Sequence, residues 1–374
     1  MVLVECLYLI VNKCSLYTFF VFCGVIVDIK YSFNRTIDYF KTLDKRAALK
    51  NNIVVLALIA FVIFTAIVSP RFLSHGMLFR LLNRIGLTLT MALGMSCIMI
   101  VGGTDLSAGR VSGLVGLVSA SLLQQSGLAN EVFVGIAPIP TIFPLLLAMA
   151  IGALVGIVNA FVIIKFRLHP FIMTLATGMI VYSLMFWYMS LGTNANKPIT
   201  AGIDTDYYKL INTGIVVAGQ KINYFVIVVF ALAGFMWILY NKTPIGRSMY
   251  AVGCNRDAAQ VTGISILKTT LICFGIAGAL FGIAGFINGG YSSNNLDSGY
   301  GLDLDAIAAC IIGGVSFAGG VGKISGVIMG VLLINLIQLA LVFLRVDTHY
   351  TSLVSGLIII LAVGLDMQKS RAMK

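Results

Sequence analysis

The chain has 374 residues, of which 59% are hydrophobic and 10% are charged, and its mean hydropathy is +1.00. Soluble domains average about 25% charged residues, so this composition excludes a water-soluble globular protein and a soluble two-domain enzyme. The formal net charge of +11 is typical of basic loops beside membrane spans. The sequence therefore predicts an all-α polytopic membrane protein in a lipid bilayer, with no nucleic-acid partner.

The chain begins with an atypical hydrophobic extension, residues 1–30. It is interrupted by Lys13, and its longest uncharged run, 14–27, is short for a span and closer to a signal-peptide core. An anchor, a signal-like segment and a misassigned start site all remain open, and no function is assigned to it. The following segment, 31–52, is basic and is predicted to be cytoplasmic.

Ten apolar windows follow, although some satisfy only loosely the ~20 residues that a bilayer-crossing helix needs. They are 53–68, 80–101, 110–124, 142–164, 170–191, 223–240, 269–289, 303–318, 324–344 and 350–366. Three windows are short, so one of them could be re-entrant.

The spans predict two transmembrane halves, 53–191 and 223–366, separated by a polar extracytoplasmic loop, 192–222. Placing 31–52 inside puts most of the 25 Lys and Arg residues in the cytoplasm, as the positive-inside rule requires. The tail, 367–374, is then also cytoplasmic. The predicted location is the bacterial inner membrane, with several passes.

An internal match points to an inverted repeat. The motif G-x-D-L-x-A occurs at 103–108 and again at 301–306, at equivalent positions of the two halves. Five spans in each half would invert the second half relative to the first. Inverted repeats are common in transporters, where the solute path lies at the repeat interface, so the predicted fold is two inverted five-helix halves. A coincidental match in a Gly- and Leu-rich chain is the alternative.

Polar residues at membrane depth are the candidates for the translocation path or for helix breaks. Ionised groups are costly there and usually face a cavity or a partner. An Asp or Ser at a broken helix end can instead cap exposed N–H groups, and a proton relay is a third possibility. The amides suit a neutral solute such as a sugar, or serve as interhelical contacts. The candidates are Asp105, Ser107, Arg110, Asn159, Asn288, Asp303, Asp305 and Asn335.

The predicted cytoplasmic loop 241–268 contains a short helix. Asn255 is a suitable N-cap, the following residues favour a helix, and Gly263 should end it. Such a helix between two spans could dock a soluble partner, although an ordinary loop is the simpler interpretation.

Enzyme motifs are missing from the sequence. The run 319–325 resembles a phosphate loop, but Phe317 stands where the first glycine belongs and Ile324 replaces Ser or Thr. The seven cysteines form no CxxC pair, and the three histidines lack ligand-spaced neighbours. No catalytic residue, metal site or cofactor is predicted.

Four segments together resemble one known family. VGGTDLSAGR (101–110), LHPFIMTLATGMIVYS (168–183), GRSMYAVGCNRDAAQVTGI (246–264) and LDLDAIAACIIGGVSFAGGVG (302–322) are similar to permease subunits of bacterial ATP-binding-cassette importers for monosaccharides. The resemblance covers about residues 40–370, and the first segment is most similar to the galactose/methyl-galactoside branch. Its Gly-Gly before Thr104 departs from that branch and leaves the sugar open.

The resemblance implies a transporter subunit that is not an enzyme. It implies two copies of the permease around the pore, a cytoplasmic ATPase subunit and an extracytoplasmic sugar-binding protein. The residues that would form the ATPase-coupling loop are Gly253, Asn255, Ala258, Ala259 and Gly263. A ribose or nucleoside permease of the same class, or an ion-coupled secondary sugar transporter, remains an alternative.

Overall fold

A computed structural model describes most of the chain after residue 52. The described residues are 53–69, 72, 74–125, 132–133, 139–191, 198–199, 205–217, 219–291, 294–345 and 350, with isolated positions up to 364. The chain divides into two units, Met1–Ile53 and Val54–Lys374. The predicted N-terminal extension, the basic segment up to residue 52 and the tail lie outside the described residues.

Twelve helices and one hairpin make up the described part of the chain. The first five helices are α1 Ile53–Val68, α2 His75–Ile100, α3 Ala108–Leu122, α4 Ile142–Phe166 and α5 Pro170–Ser190. Next come α6 Thr205–Asn212, β1 Gly214–Val217, β2 Gln220–Asn223 and α7 Tyr224–Lys242. The last five are α8 Pro244–Cys254, α9 Arg256–Val261, α10 Ile266–Tyr291, α11 Leu302–Ile312 and α12 Ile324–Phe343.

Six of the described helices, α2, α4, α5, α7, α10 and α12, are long and apolar enough to cross a membrane. The described helices do not confirm ten spans, and the three windows that are short in the sequence also form short helices. Helices α1, α3 and α11 have only 16, 15 and 11 residues, fewer than the ~20 that a crossing needs. Non-helical backbone takes up the last six residues of the α11 window, 313–318, whereas α3 begins two residues before its window and ends at Leu122. The tenth window, 350–366, lies mostly outside the described residues.

The polar segment between the halves is more ordered than the predicted loop, and the fold is not entirely helical. Helix α6 is followed by an antiparallel hairpin that pairs Gly214 with Asn223. The Asn83 side chain of α2 holds this hairpin: its Nδ2 donates to the Lys221 carbonyl oxygen at 2.9 Å, and its Oδ1 accepts from the Asn223 N–H at 2.9 Å. The hairpin is therefore fixed to the first half of the chain.

Helices α2 and α10 form the centre of the bundle. Helix α10 packs against α2, α3 and α4, and α2 is buried along most of its length. The contact between α10 and α4 depends on small residues, because a Cβ atom at Gly152 of α4 would overlap the carbonyl oxygen of Gly278 in α10. Glycines at such spacing let membrane helices approach closely.

A tight turn reverses the chain between α4 and α5. Arg167 ends α4 in the left-handed conformation with φ 53°, and His169 is extended before Pro170 starts α5. Proline is favoured at the first helical position because its missing N–H would have no intrahelical acceptor there. This turn brings the start of α5 beside the segment that precedes α3.

Candidate functional site

The two copies of the repeated motif lie next to each other. Each precedes or opens a short helix, α3 or α11, and the starts of these helices are in contact. A Cβ atom at Gly109 would stand 2.8 Å from Asp303 Oδ1, and one at Gly113 would overlap the Ser298 carbonyl oxygen. The fold thus joins two segments that are about 200 residues apart in the sequence.

Asp105 caps the start of α3. Its Oδ1 accepts hydrogen bonds from the Ser107 backbone N–H at 2.8 Å and from the Ser107 hydroxyl at 2.5 Å, and the carboxylate is buried. The capping interpretation of Asp105 therefore has direct geometric support. The same interpretation is wrong for Ser107, which occupies the N-cap position but makes no side-chain cap bond.

Buried amide and hydroxyl groups extend this cap into α4 and α5. Asn159 Nδ2 donates to Ser107 Oγ at 3.1 Å, and Thr177 Oγ1 donates to Asn159 Oδ1 at 2.6 Å. Thr174 Oγ1 accepts from the Leu106 N–H at 3.1 Å. Because these groups use one another as partners, Asn159 acts as an interhelical contact in this structure.

Arg110 and Asp303 line a cleft beside this cap. The cleft, with a volume of about 450 Å³, is bounded by α3, α5 and the chain that leads into α11. The Arg110 guanidinium carbon lies 4.7 Å from the centroid of the Tyr182 ring and 5.0 Å from that of Tyr300. Arg110 Nη1 also donates to the Leu296 carbonyl oxygen at 2.9 Å. Arg110 therefore joins three segments of the chain.

The remaining polar candidates lie elsewhere. Asp305 Oδ2 accepts from Gln338 Nε2 at 2.8 Å, and Gln338 Oε1 accepts from Arg84 Nη2 at 3.0 Å. Asn335 is buried, and its Nδ2 donates to the Val331 carbonyl oxygen at 2.9 Å. Asn288 is half-buried near the end of α10. The structure therefore brings Asp105, Ser107, Arg110, Asn159 and Asp303 together but separates Asp305, Asn335 and Asn288 from them.

The coupling-loop candidates form two short helices, α8 and α9. These helices contact the broken segments, which are the non-helical residues 101–107 after α2 and 313–323 after α11. The Gly320 N–H donates to the Ile100 carbonyl oxygen at 2.9 Å, and a Cβ atom at Gly253 would stand 2.6 Å from the Gly320 nitrogen. Tyr250 hydroxyl donates to the Gly322 carbonyl oxygen at 2.7 Å. Burial raises the pKa of Tyr250 above its usual value, so this hydroxyl remains a donor at neutral pH.

The predicted helix of this loop is confirmed, but one of its residues faces inward. Asn255 Oδ1 accepts from the Ala258 N–H at 3.0 Å, and Gly263 with φ +85° follows the helix end. Ala259 is only 4% exposed, because its small side chain packs against this chain. Val261 is 88% exposed and is the apolar residue that a partner would meet.

A comparison with known families matches residues 77–363 to the permease component of the branched-chain amino acid transport system. The chain belongs to this family. Among curated proteins, this permease is 36% identical over 321 residues to the galactose/methyl galactoside import permease protein MglC of Escherichia coli, covering 85% of this chain and 93% of the relative. It is 36% identical over 325 residues to MglC of Haemophilus influenzae, covering 86% and 95%.

The permease is also 32% identical over 317 residues to the ribose import permease protein RbsC of Escherichia coli, covering 84% of this chain and 93% of the relative. No solved structure matches it. The predicted family is thereby confirmed, and the family is one of multi-pass membrane transport components, not of enzymes.

Three residues of the permease were missed by sequence reasoning. Tyr182 and Tyr300 resemble ordinary aromatic residues of apolar or loop segments, and their meeting at Arg110 depends on the tertiary fold. Val261 could not be found from the sequence either, because nothing local distinguishes it from a buried apolar residue of the same helix.

Proposed function

We propose that this chain is the membrane-spanning subunit of an ATP-binding-cassette importer that carries a monosaccharide across the bacterial inner membrane. Galactose or a methyl galactoside is the first candidate substrate, and ribose is the second. The observation that carries the proposal is the 36% identity to a galactose/methyl galactoside permease over 85% of the chain. The lower identity of 32% to a ribose permease sets the order of the two sugars.

The proposed path lies between two inverted halves, each with five crossings. The contact between the starts of α3 and α11 supports this arrangement, because related broken helices should meet at the interface of an inverted repeat. In each half the third crossing then consists of a non-helical segment followed by a short helix. Arg110 and Asp303 would line the path, whereas Asp105, Ser107 and Asn159 would hold the broken helix in place.

The proposed energy source is a separate ATPase that docks on α8 and α9. Supporting this, Val261 is exposed while Gly253 contacts both broken segments. A movement of α8 and α9 would therefore be transmitted to the chain segments on both sides of the proposed path. An extracytoplasmic sugar-binding protein would deliver the solute, and two copies of the permease would form the pore.

An ion-coupled secondary transporter has less support. Its coupling site would be Asp105 or Asp305, and each already accepts hydrogen bonds from neighbouring side chains. A carboxylate that binds and releases a proton or Na⁺ in each cycle needs access to water, whereas Asp105 is 2% exposed.

The deciding experiment is reconstitution of the permease in proteoliposomes with its ATPase and a sugar-binding protein. We expect uptake of radiolabelled D-galactose that needs ATP and both partners and that is unaffected by a protonophore. Uptake by the permease alone, driven by a proton or Na⁺ gradient, would contradict the proposal. Uptake of D-ribose in place of D-galactose would retain the importer class and change the assigned sugar.

A further inference from the structure

The cleft beside Arg110 lies near the middle of the membrane. Tyr182, on its wall, is the thirteenth of the 21 residues of α5. At 1.5 Å per residue it stands about 12 Å from the Ser190 end and about 18 Å from the Pro170 end of that span. Asp303 and Arg110, at the starts of α11 and α3, line the same cleft. Charged and aromatic groups therefore meet at a depth where lipid would surround an exposed surface.

Lipid is a poor occupant of this cleft. Residues 294–301 have no regular helix, and non-helical backbone at membrane depth is tolerated only where it is buried in protein or lines a water-filled cavity. Tyr300, within this segment, is 72% exposed. Ionisable groups at this depth usually face a cavity or a partner. Because Tyr300 is not buried within this chain, the cleft fits the second of these two cases and would face an aqueous route.

The groups of the cleft suit a neutral polyhydroxylated ring. The formal charges of Arg110 and Asp303 sum to zero. The cleft therefore favours neither a cationic nor an anionic solute. An ionised carboxylate accepts hydrogen bonds from hydroxyl groups, and such charge-assisted bonds are the stronger kind. Tyr300 is 72% exposed as a residue, and its ring offers a flat apolar surface to a pyranose ring. Ligand pockets of about 300–1,000 Å³ commonly combine aromatic walls with a few polar groups, and this cleft has a volume of about 450 Å³.

We propose that this cleft is a transit site for a neutral pyranose. Tyr300 supplies the aromatic face, Asp303 accepts hydrogen bonds from sugar hydroxyls, and Arg110 is a positioning residue that holds the rings of Tyr182 and Tyr300. The inference rests on the proposed function and extends it by assigning the residues that contact the sugar within the membrane. Arg110 is placed as a positioning residue because its guanidinium lies against both rings and donates to the Leu296 carbonyl oxygen.

The test uses the assembled importer in proteoliposomes and measures ATP-dependent uptake of D-galactose and D-ribose. Tyr300→Ala should lower uptake of the transported sugar at least tenfold, whereas Tyr300→Phe should retain at least half, because the aromatic face remains. Asp303→Asn should raise the KM at least fivefold and change the ratio of galactose to ribose uptake. The matched controls are Tyr208→Ala and Asp206→Asn, which change exposed residues on α6, outside the cleft, and should transport like the wild type.

A second measurement does not depend on the activity of the variants. Tyr300→Cys, with the seven native cysteines replaced, should react with a small water-soluble thiol reagent. D-galactose delivered by the binding protein should slow that reaction at least threefold, and mannitol at the same concentration should not.

Unchanged uptake in Tyr300→Ala, or labelling that galactose does not slow, would overturn the transit site while leaving the importer assignment intact. Failure of the wild-type assembly to import either sugar would overturn the proposed function, and the transit site with it.

Discussion

Gly253 lies directly against the carbonyl oxygen of Ile100, so that any β-carbon at position 253 would overlap this oxygen atom. Ile100 is the last residue of α2, immediately before the non-helical segment that leads to Asp105 and α3. Gly320, which follows α11, donates its N–H to the same oxygen. One backbone contact therefore links α8 to both broken segments.

The first prediction concerns this contact. Gly253→Ala should lower sugar uptake per ATP hydrolysed at least fivefold in the reconstituted importer, because the added methyl group must push α8 away from backbone atoms that cannot move aside. Gly76→Ala is the matched control, since a Cβ atom there stands 3.5 Å from its nearest neighbour, an ordinary contact. Equal coupling in the two variants would show that the close approach is unimportant for transport.

The second prediction concerns the docking surface. Val261→Asp should weaken the association of the permease with its ATPase at least tenfold in a co-purification or binding assay, because it places a charge on an 88% exposed apolar residue. Gln260→Glu, a neighbouring exposed position, introduces the same charge as a control. Similar binding by both variants would remove Val261 from the interface. The buried Ala259 is unsuitable for this test, because a large side chain there would disturb the packing of the loop itself.

The third prediction concerns the cap of α3. Asp105→Ala removes the acceptor of two hydrogen bonds and should destabilise the detergent-solubilised permease by about 1–3 kcal/mol. Asp105→Asn retains an acceptor oxygen and should lose less. The readout is the thermal unfolding midpoint, with Asp206→Ala as the control, because Asp206 is 81% exposed and makes only a surface pair with Lys209. A midpoint unchanged in Asp105→Ala would contradict the capping role.

The fourth prediction concerns orientation. In a variant whose other cysteines are replaced, native Cys254, which is exposed, should react with a membrane-impermeant thiol reagent only after the cytoplasmic side is opened. Tyr208→Cys on α6, at a position 56% exposed, should react in intact cells once the outer membrane is permeable. The reverse pattern would invert the topology that the distribution of basic residues predicts.

Several elements were predictable because their signals are local. Apolar runs long enough for a bilayer mark α4, α7 and α12, and Asn255 with Gly263 marks the ends of α9. The windows of α3 and α11 are short in the sequence, but the end of α11 at Ile312 was not predictable in this way. Hydropathy does not distinguish a helix from extended chain that is sheltered by protein. The order within residues 205–223 was missed because its hydrogen bonds to Asn83 come from another part of the chain.

The sequence by itself determined that this is a membrane protein, how its polar and apolar segments alternate and which family it resembles. These properties are readable because hydropathy and motif spacing depend only on residues close together in the sequence. Only the tertiary structure decided that Asn159 bonds to Ser107 beside the Asp105 cap, that Ala259 is buried and that Arg110 lies between Tyr182 and Tyr300. These outcomes depend on contacts between residues tens to nearly two hundred positions apart, and such contacts are set by the packing of whole helices.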